Sequence, residues 1–514
     1  MKNFPYDIPS LKNFDEIKYE DLNLFSLNRR RKVWDLIASE LIKIKFHHEL
    51  SKEFFTTISL QLYNEFAPII CTLIEYENYY NKNIQLKFNN KIINKIIIGD
   101  LKEEFFFENF CENYNFKKAN KIRIFLRNIY FLGNFYKNKI DLIDHNYNSR
   151  KFLKDNYNIN YKPSNNFFNF DEIINDKYNY SEEFKLIFDE NFRYLEKIFI
   201  NCLSEYVIKE KFVNNFSFFL KCFLKFEINI FLQARKILKK SKINYNISSS
   251  ISGFKPSRLI TSYVNFKGGK VLKFDDQNGG ILHGNHKAAY LNNFINCTDF
   301  YFTTNNGKEI AENFYTNFLK KNKLNKKISF HSLNYKEKFN LKKKNLPYKK
   351  VKFVYFTISF RNVFHGSGSF HDLDYLKIQN IIFNFFRSNT SELLYRAHPE
   401  TLIGIKKNPL EKYLNNLNFK DTIKNSNICI FDTTLSSAFW QCIQNQNPII
   451  LIRHYNVDDE SPYFERLEKR CEIIDISDPK QTEEILNNIN FQKISKNSID
   501  KSYSCYDNFD NIIL

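Results

Sequence analysis

Two stretches of this chain end an apolar run on side chains suited to holding an anion. Leu393-Leu394-Tyr395 runs into Arg396-Ala397-His398-Pro399-Glu400. Ile428-Cys429-Ile430-Phe431 runs into Asp432-Thr433-Thr434-Leu435-Ser436-Ser437. Short apolar runs that stop abruptly read as buried strands, and in open α/β sheets ligands bind beyond the carboxyl ends of the strands. An arginine, an imidazole and four hydroxyls delivered at two such ends predict one crevice that grips a phosphate ester. Arg396 supplies a permanent, forked cation. Pro399 keeps His398 out of the helical region, at the strand's end, where its ring either donates to a phosphate oxygen or takes a proton. Thr433, Thr434, Ser436 and Ser437 precede a helix expected over 438–444. Hydroxyls at a helix start are usually caps, but four in five positions exceed what capping needs.

Two further loops carry the same chemistry. Arg361 to Ser369 follows an expected strand and precedes an expected helix. Gly366 and Gly368 let the backbone approach a ligand, Ser367 and Arg361 can bind phosphate, and the helix offers free N–H groups. The plainer reading is a capped loop, since no P-loop pattern is present. Gln277-Asn278-Gly279-Gly280 with His283 lies in an earlier α/β stretch and would line the opposite wall. His283 is the leading candidate for a general base, with a pKa near neutrality when unperturbed. His286 and His365 stand in reserve, and Glu400 and Asp432 would orient a histidine or act as acids. Ten of the twelve glycines fall between positions 253 and 404, and seven of the ten histidines between 283 and 454. In a glycine-poor chain glycine persists where backbone geometry demands it, which puts the chemistry in that region. No HExxH, DxD or close His/Cys/carboxylate cluster is present, so no metal and no resident cofactor is expected.

The elements that must position these residues follow from periodicity. Residues 1 to about 85 read as helical, with Val33, Trp34, Ile37, Leu41 and Ile44 on one stripe. The run IINKIII over 92–98 reads as the first sheet strand. Residues 101–240 read as mostly helix, including a buried helix over 216–232 that Lys221, Lys225 and Glu227 disqualify as a membrane span. The Asn/Tyr-rich patch 146–169 reads as an insertion or loop. Strands are then expected at 243–248, 270–274, 299–304, 351–358, 393–395, 428–431, 448–452 and 471–476. Helices are expected at 256–265, 288–295 and 372–387, and a Lys-rich linker over 320–350. Alternation of this kind predicts an α/β fold with parallel sheets.

With 514 residues and 43% apolar content, two or three globular domains are expected. The nine cysteines are never closer than thirteen positions, which argues for core thiols rather than metal or redox pairs. The net charge is 76 − 57 = +19. It reads either as lysines solvated on helix faces or as attraction to polyanions or to an anionic membrane surface, and no recognisable nucleic-acid module accompanies it.

At Gln277–Gly280, Arg396–Pro399 and Asp432–Ser437, and in opening helices carrying Arg31, Trp34, Leu41 and His48, the chain resembles a family of bacterial putative transferases from surface-carbohydrate gene clusters. Where that family has histidine in the glycine loop, this chain has Asn278. The family looks like GT-B-type glycosyltransferases. The His-Pro element and paired hydroxyls are similar to those of sialyl- and Kdo-transferases, where they hold the phosphate of a CMP-sugar. The resemblance implies two Rossmann-like domains facing a cleft behind a large helical N-terminal region: an acceptor domain within 1–335, a donor domain over 350–490 and a tail over 491–514. It implies a metal-independent cytoplasmic enzyme, peripheral at the inner membrane, that moves a sugar from a nucleotide donor, such as a CMP-activated ulosonic acid, to a cell-surface glycan or glycolipid. A teichoic-acid-type phosphotransferase using a CDP-polyol, and a non-enzymatic membrane-surface binding protein, are the alternatives.

Overall fold

The computed structural model describes residues 2–5, 27–81, 84–87, 91–103, 120–131, 137–144, 150–175, 181–206, 208–249, 255–274, 287, 290–302, 305–324, 326–333, 352–358, 371–398, 410–414, 418–425, 427–434, 436–444, 447–453, 464–476 and 479–504. The fold is α/β with two all-parallel sheets and abundant helix. A short parallel pair, β1 (Lys2–Pro5) and β2 (Ile84–Lys87), stands apart from them.

The first large sheet holds β3 (Lys139–Leu142), β4 (Asn158–Tyr161), β5 (Asn246–Ser249), β6 (Lys270–Phe274), β7 (Asp299–Phe302) and β8 (Ser329–Ser332), in the order β4-β3-β5-β6-β7-β8. Alternation along each strand sends Ile247, Val271, Phe300 and Phe302 into the largest core. Ile140, Leu142, Leu272 and Phe274 go to a smaller core on the other face. The large core is built by the helices Leu27–Lys43, Glu49–Gln61, Glu182–Ser204 and Glu210–Lys240. In the last of these Phe212, Phe216, Phe219, Phe223, Phe226 and Ile230 recur every three or four residues and are all buried, the stripe a core-facing helix requires. Phe66 sits among the rings of Phe199, Phe216, Phe219 and Phe223 at 4.9–5.6 Å between centroids, contacts worth about 0.5–1.5 kcal/mol each beyond area burial.

The second sheet holds β9 (Phe353–Phe356), β10 (Leu393–Arg396), β11 (Ile428–Phe431), β12 (Ile449–Arg453) and β13 (Glu472–Asp475), in the order β10-β9-β11-β12-β13. Its three central strands, β9, β11 and β12, are buried on both faces. Tyr355, Ile430 and Ile450 meet the helices Asp372–Asn389 and Phe491–Ser504. Val354, Phe356, Phe431 and Leu451 meet the helix Ser437–Gln444. Leu373 and Leu376 of the helix Asp372–Asn389 belong to the large core and so join the second sheet's cover to the first unit.

Several expectations need correction. IINKIII is a helix, Lys91–Ile98, that buries Ile93, Ile96 and Ile97 and exposes Ile98. That is helical spacing; a strand would have paired Asn94 with Ile96 on one face. Gly99 closes it at φ +82°, donating to Lys95 O at 2.9 Å. The patch 146–169 carries a helix (Arg150–Asn156), β4 and the 3-10 turn Ser164–Asn166. The helix-rich stretch 101–240 also contributes β3. The expected linker contains β8, while 334–350 lies outside the described residues. The expected tail begins with the helix Phe491–Ser504, whose Phe491 packs on Phe353 and Phe386; residues 505–514 lie outside the described set. The described part of the helix expected over 288–295 is a π-helical turn, Tyr290–Phe294. Among the described residues no helix is long and apolar enough to cross a membrane.

Candidate functional site

In the second sheet the chain leaves β9 for β10 on one side, then returns past β9 to β11 on the other. A crevice opens where successive connections diverge in this way, outside the carboxyl ends of the strands. The register fixes what stands at its rim. Arg396 pairs with Phe356, and Phe356 with Phe431, so Arg396-Ala397-His398, Thr357-Ile358 and Asp432-Thr433-Thr434 emerge side by side. Neighbouring strands are about 4.8 Å apart, so the outer two ends lie roughly 10 Å from each other.

Each rim residue has a definite setting. Arg396 is half-buried, and the loss of hydration holds its guanidinium below the usual range. It alternates onto the face of Phe356 and Phe431, the face covered by the helix Ser437–Gln444. His398 and Thr433 are half-buried; Thr434 and Ser436 are buried. Ser436 Oγ accepts from Ala438 N at 3.2 Å, so one of the four hydroxyls is an ordinary cap. Ser437 is the first residue of that helix, which carries no acid in its first turn.

The opposite side of the rim is held by a carboxylate. Asp432, 3% exposed, takes a hydrogen bond from the Tyr355 hydroxyl on one oxygen and from the Tyr375 hydroxyl on the other at 3.0 Å. Tyr375 OH in turn accepts from Ile358 N at 3.0 Å. Tyr395 OH donates to Gln379 Oε1 at 2.9 Å just below. Asp432, expected to act as an acid or to orient a histidine, therefore fixes the backbone where the chain leaves β9. Burial pushes its pKa up to about 6, against the pull of the two tyrosine hydroxyls.

This has a measurable consequence. Below about pH 4 folded and unfolded chains both protonate Asp432; between about pH 4 and 6 only the folded chain does, so its contribution to stability falls as pH rises through that window. Asp432→Asn removes the titration. Urea unfolding at pH 4 and pH 7 is expected to show the difference between wild type and variant shrinking by about 1–3 kcal/mol as pH rises. An unchanged difference would rule out the buried proton.

Sequence reasoning missed three features. Thr357 follows β9 directly at 4% exposure, and its Oγ1 has no hydrogen-bond partner among the described residues. His371, fully buried, caps the helix Asp372–Asn389, its Nδ1 accepting from Leu373 N at 3.2 Å. In the first sheet the same reversal occurs between β3 and β5, and there too a buried carboxylate stands at the strand ends. Asp144 accepts from Ser164 Oγ at 2.9 Å, from Ser249 Oγ at 3.1 Å and from Ser257 Oγ, while burial raises its pKa. Lys273 on β6 is buried too, donates to Asn296 Oδ1 at 2.9 Å and is pushed down to about 7.

Of the expected site residues the structure brings together Arg396, His398, Thr433, Thr434, Ser436 and the backbone of Ser437. Arg361, Gly366, Ser367, Gly368 and Pro399 lie outside the described residues. So do Gln277, Asn278, Gly279, Gly280 and His283, with His286, His365 and Glu400. The strands that lead into the two glycine-bearing loops, β6 and β9, are formed as expected. Among the described residues no three His, Cys, Asp or Glu side chains gather into a metal-binding group. Comparison with protein-family models, with curated proteins and with solved structures finds no match.

Proposed function

We propose that the chain is a glycosyltransferase of the GT-B type that draws a sugar from a nucleotide donor, with the donor's phosphate held at the strand reversal of the second sheet. The observation that carries this reading is the register that brings Arg396, Thr357 and Asp432-Thr433-Thr434 to one edge. The guanidinium and the N-terminus of the helix Ser437–Gln444 meet negative charge. Thr357 and Thr433 offer neutral hydrogen bonds, and His398 either donates to the phosphate or carries a proton. Charge that grows on the leaving phosphate in the transition state is met by groups already in place. On this reading the first sheet binds the acceptor, a glycan or glycolipid.

A ligand that binds only the native state raises its unfolding temperature, by about 2.7 kcal/mol of stability at a hundredfold excess over Kd. Thermal unfolding with CMP, CDP, UDP and GDP is the direct test. One nucleotide is expected to raise the midpoint and its sugar conjugates to be turned over. No shift with any of them would end the proposal.

A further inference from the structure

We propose that the outer face of the helix Lys121–Phe131 docks this protein on an anionic membrane surface. The helix reads KIRIFLRNIYF. Ile122, Phe125, Leu126, Ile129 and Tyr130 follow i, i+3, i+4, i+7, i+8, one continuous face. That face looks outward: Ile122, Phe125 and Leu126 are 66%, 65% and 58% exposed, and Ile129 and Tyr130 45% and 49%. No other described helix presents such a row; the remaining large exposed apolar side chains, Tyr80, Ile98, Phe218 and Tyr245, are scattered singly. A contiguous exposed patch calls for an explanation where single residues do not.

The helix is not loosely placed. Its inner side is pinned to the edge strand β4: Tyr161 N donates to Asn128 Oδ1 at 2.7 Å, and Arg127 bonds the Tyr161 hydroxyl and lies 4.7 Å from its ring centroid. Ile124 packs against the smaller core. With that side committed, the five outward residues are what the fold presents.

Charge identifies the occupant. The segment 117–139 contains Lys117, Lys118, Lys121, Lys137, Lys139 and Arg123, besides the inward-committed Arg127, and no Asp or Glu. Lys154 adds a cation over the Tyr130 ring at 4.4 Å. A second copy of this face would meet like charge. An anionic bilayer instead takes the apolar side chains at the headgroup–acyl boundary and pairs the flanking cations with lipid phosphates. At eleven residues the helix is roughly 16 Å long, enough to lie in the interface and too short to span it. The inference does not rest on the nucleotide site, which is in the other sheet.

The test is sedimentation of the full chain with vesicles of phosphatidylcholine alone and of phosphatidylcholine and phosphatidylglycerol in equal parts. Wild type is expected to bind the mixed vesicles, to be released by salt, and to ignore the neutral ones. Phe125→Glu/Leu126→Glu should weaken binding by at least about tenfold while leaving any nucleotide-induced melting shift intact. Hydrogen exchange on the wild type provides a readout that needs no variant: mixed vesicles should slow exchange across 121–131. The proposal fails if wild type does not bind mixed vesicles, if the double variant binds them equally well, or if 121–131 exchanges unchanged. It also fails if wild type is a dimer that the double variant dissociates, since the face would then belong to a second copy.

Discussion

Arg258→Leu is expected to cost roughly 3–5 kcal/mol of stability, a large part of what any domain has. Arg258 is 3% exposed and lies between three elements. It stands on the helix Lys255–Phe266. From there Nε donates to Thr57 O at 3.0 Å, and Nη2 to Thr56 O at 2.7 Å and Ser59 Oγ at 2.9 Å, all on the helix Glu49–Gln61. Nη1 reaches Asn292 O at 3.3 Å and Leu291 O at 3.4 Å in the π-helical turn Tyr290–Phe294. Burial pushes its pKa down to about 9, so at neutral pH it remains a cation, held by carbonyl dipoles. Leucine fills much of the space but answers none of those carbonyls, and hydrogen bonds to a charged group are worth about 1.5–3 kcal/mol before non-additivity is considered. Lysine keeps the charge but has one nitrogen where five donors were used, so it should rescue only in part. Unfolding in urea followed by circular dichroism measures the loss; a cost below about 1 kcal/mol would mean that the guanidinium is not the fastener its geometry implies. The neighbouring Ser257 bonds Asp144, so a milder variant that still folds should also disturb the strand ends of the first sheet.

How much of this was legible beforehand depended on where each element's signal resides. Strands of a parallel sheet are buried on both faces and read as unbroken apolar runs. FVYF, ICIF and IILIR therefore announced themselves, and with ICIF came Asp432 at its end, while Arg396 closes the half-buried edge strand LLYR. KIDL, NINY and SFHS are short, polar and set among Asn and Lys, so β3, β4 and β8 passed for helix, loop and linker; their pairing is decided by neighbours more than a dozen residues away. IINKIII shows the converse: β-branched composition suggested a strand, but the positions that bury are one helical turn apart. The candidate site divides in the same way. Arg396, His398 and Thr433 stand in contiguous motifs and could be read directly. The carboxylate–tyrosine set joins positions 355, 375 and 432, and the Asp144 cluster joins 144, 164, 249 and 257. Only the sheet order brings those together. Thr357 directly follows the last residue of β9; its place at the rim appears once β10 and β11 are placed on either side of β9.

Arg396→Ala is expected to lower nucleotide affinity about ten- to hundredfold, the loss of one charge-assisted, forked contact to phosphate worth roughly 1.5–3 kcal/mol. The argument turns on where the guanidinium stands. It closes β10 on the sheet face shared with the helix Ser437–Gln444, and it has already given up part of its hydration. A phosphate arriving there finds a half-desolvated cation and a helix N-terminus with no acid in its first turn to oppose it. Arg396 is half-buried at a strand end and not part of the apolar core, and urea unfolding of the same variant measures separately what its removal costs the fold. Arg396→Lys retains the charge but loses the planar fork, so it should fall between alanine and wild type and show the steeper salt dependence of a point charge. Calorimetric titration of the three proteins with whichever nucleotide raises the melting temperature decides it. Equal affinities would move the phosphate away from β10, whereas the order arginine, lysine, alanine would fix it between that strand and β11.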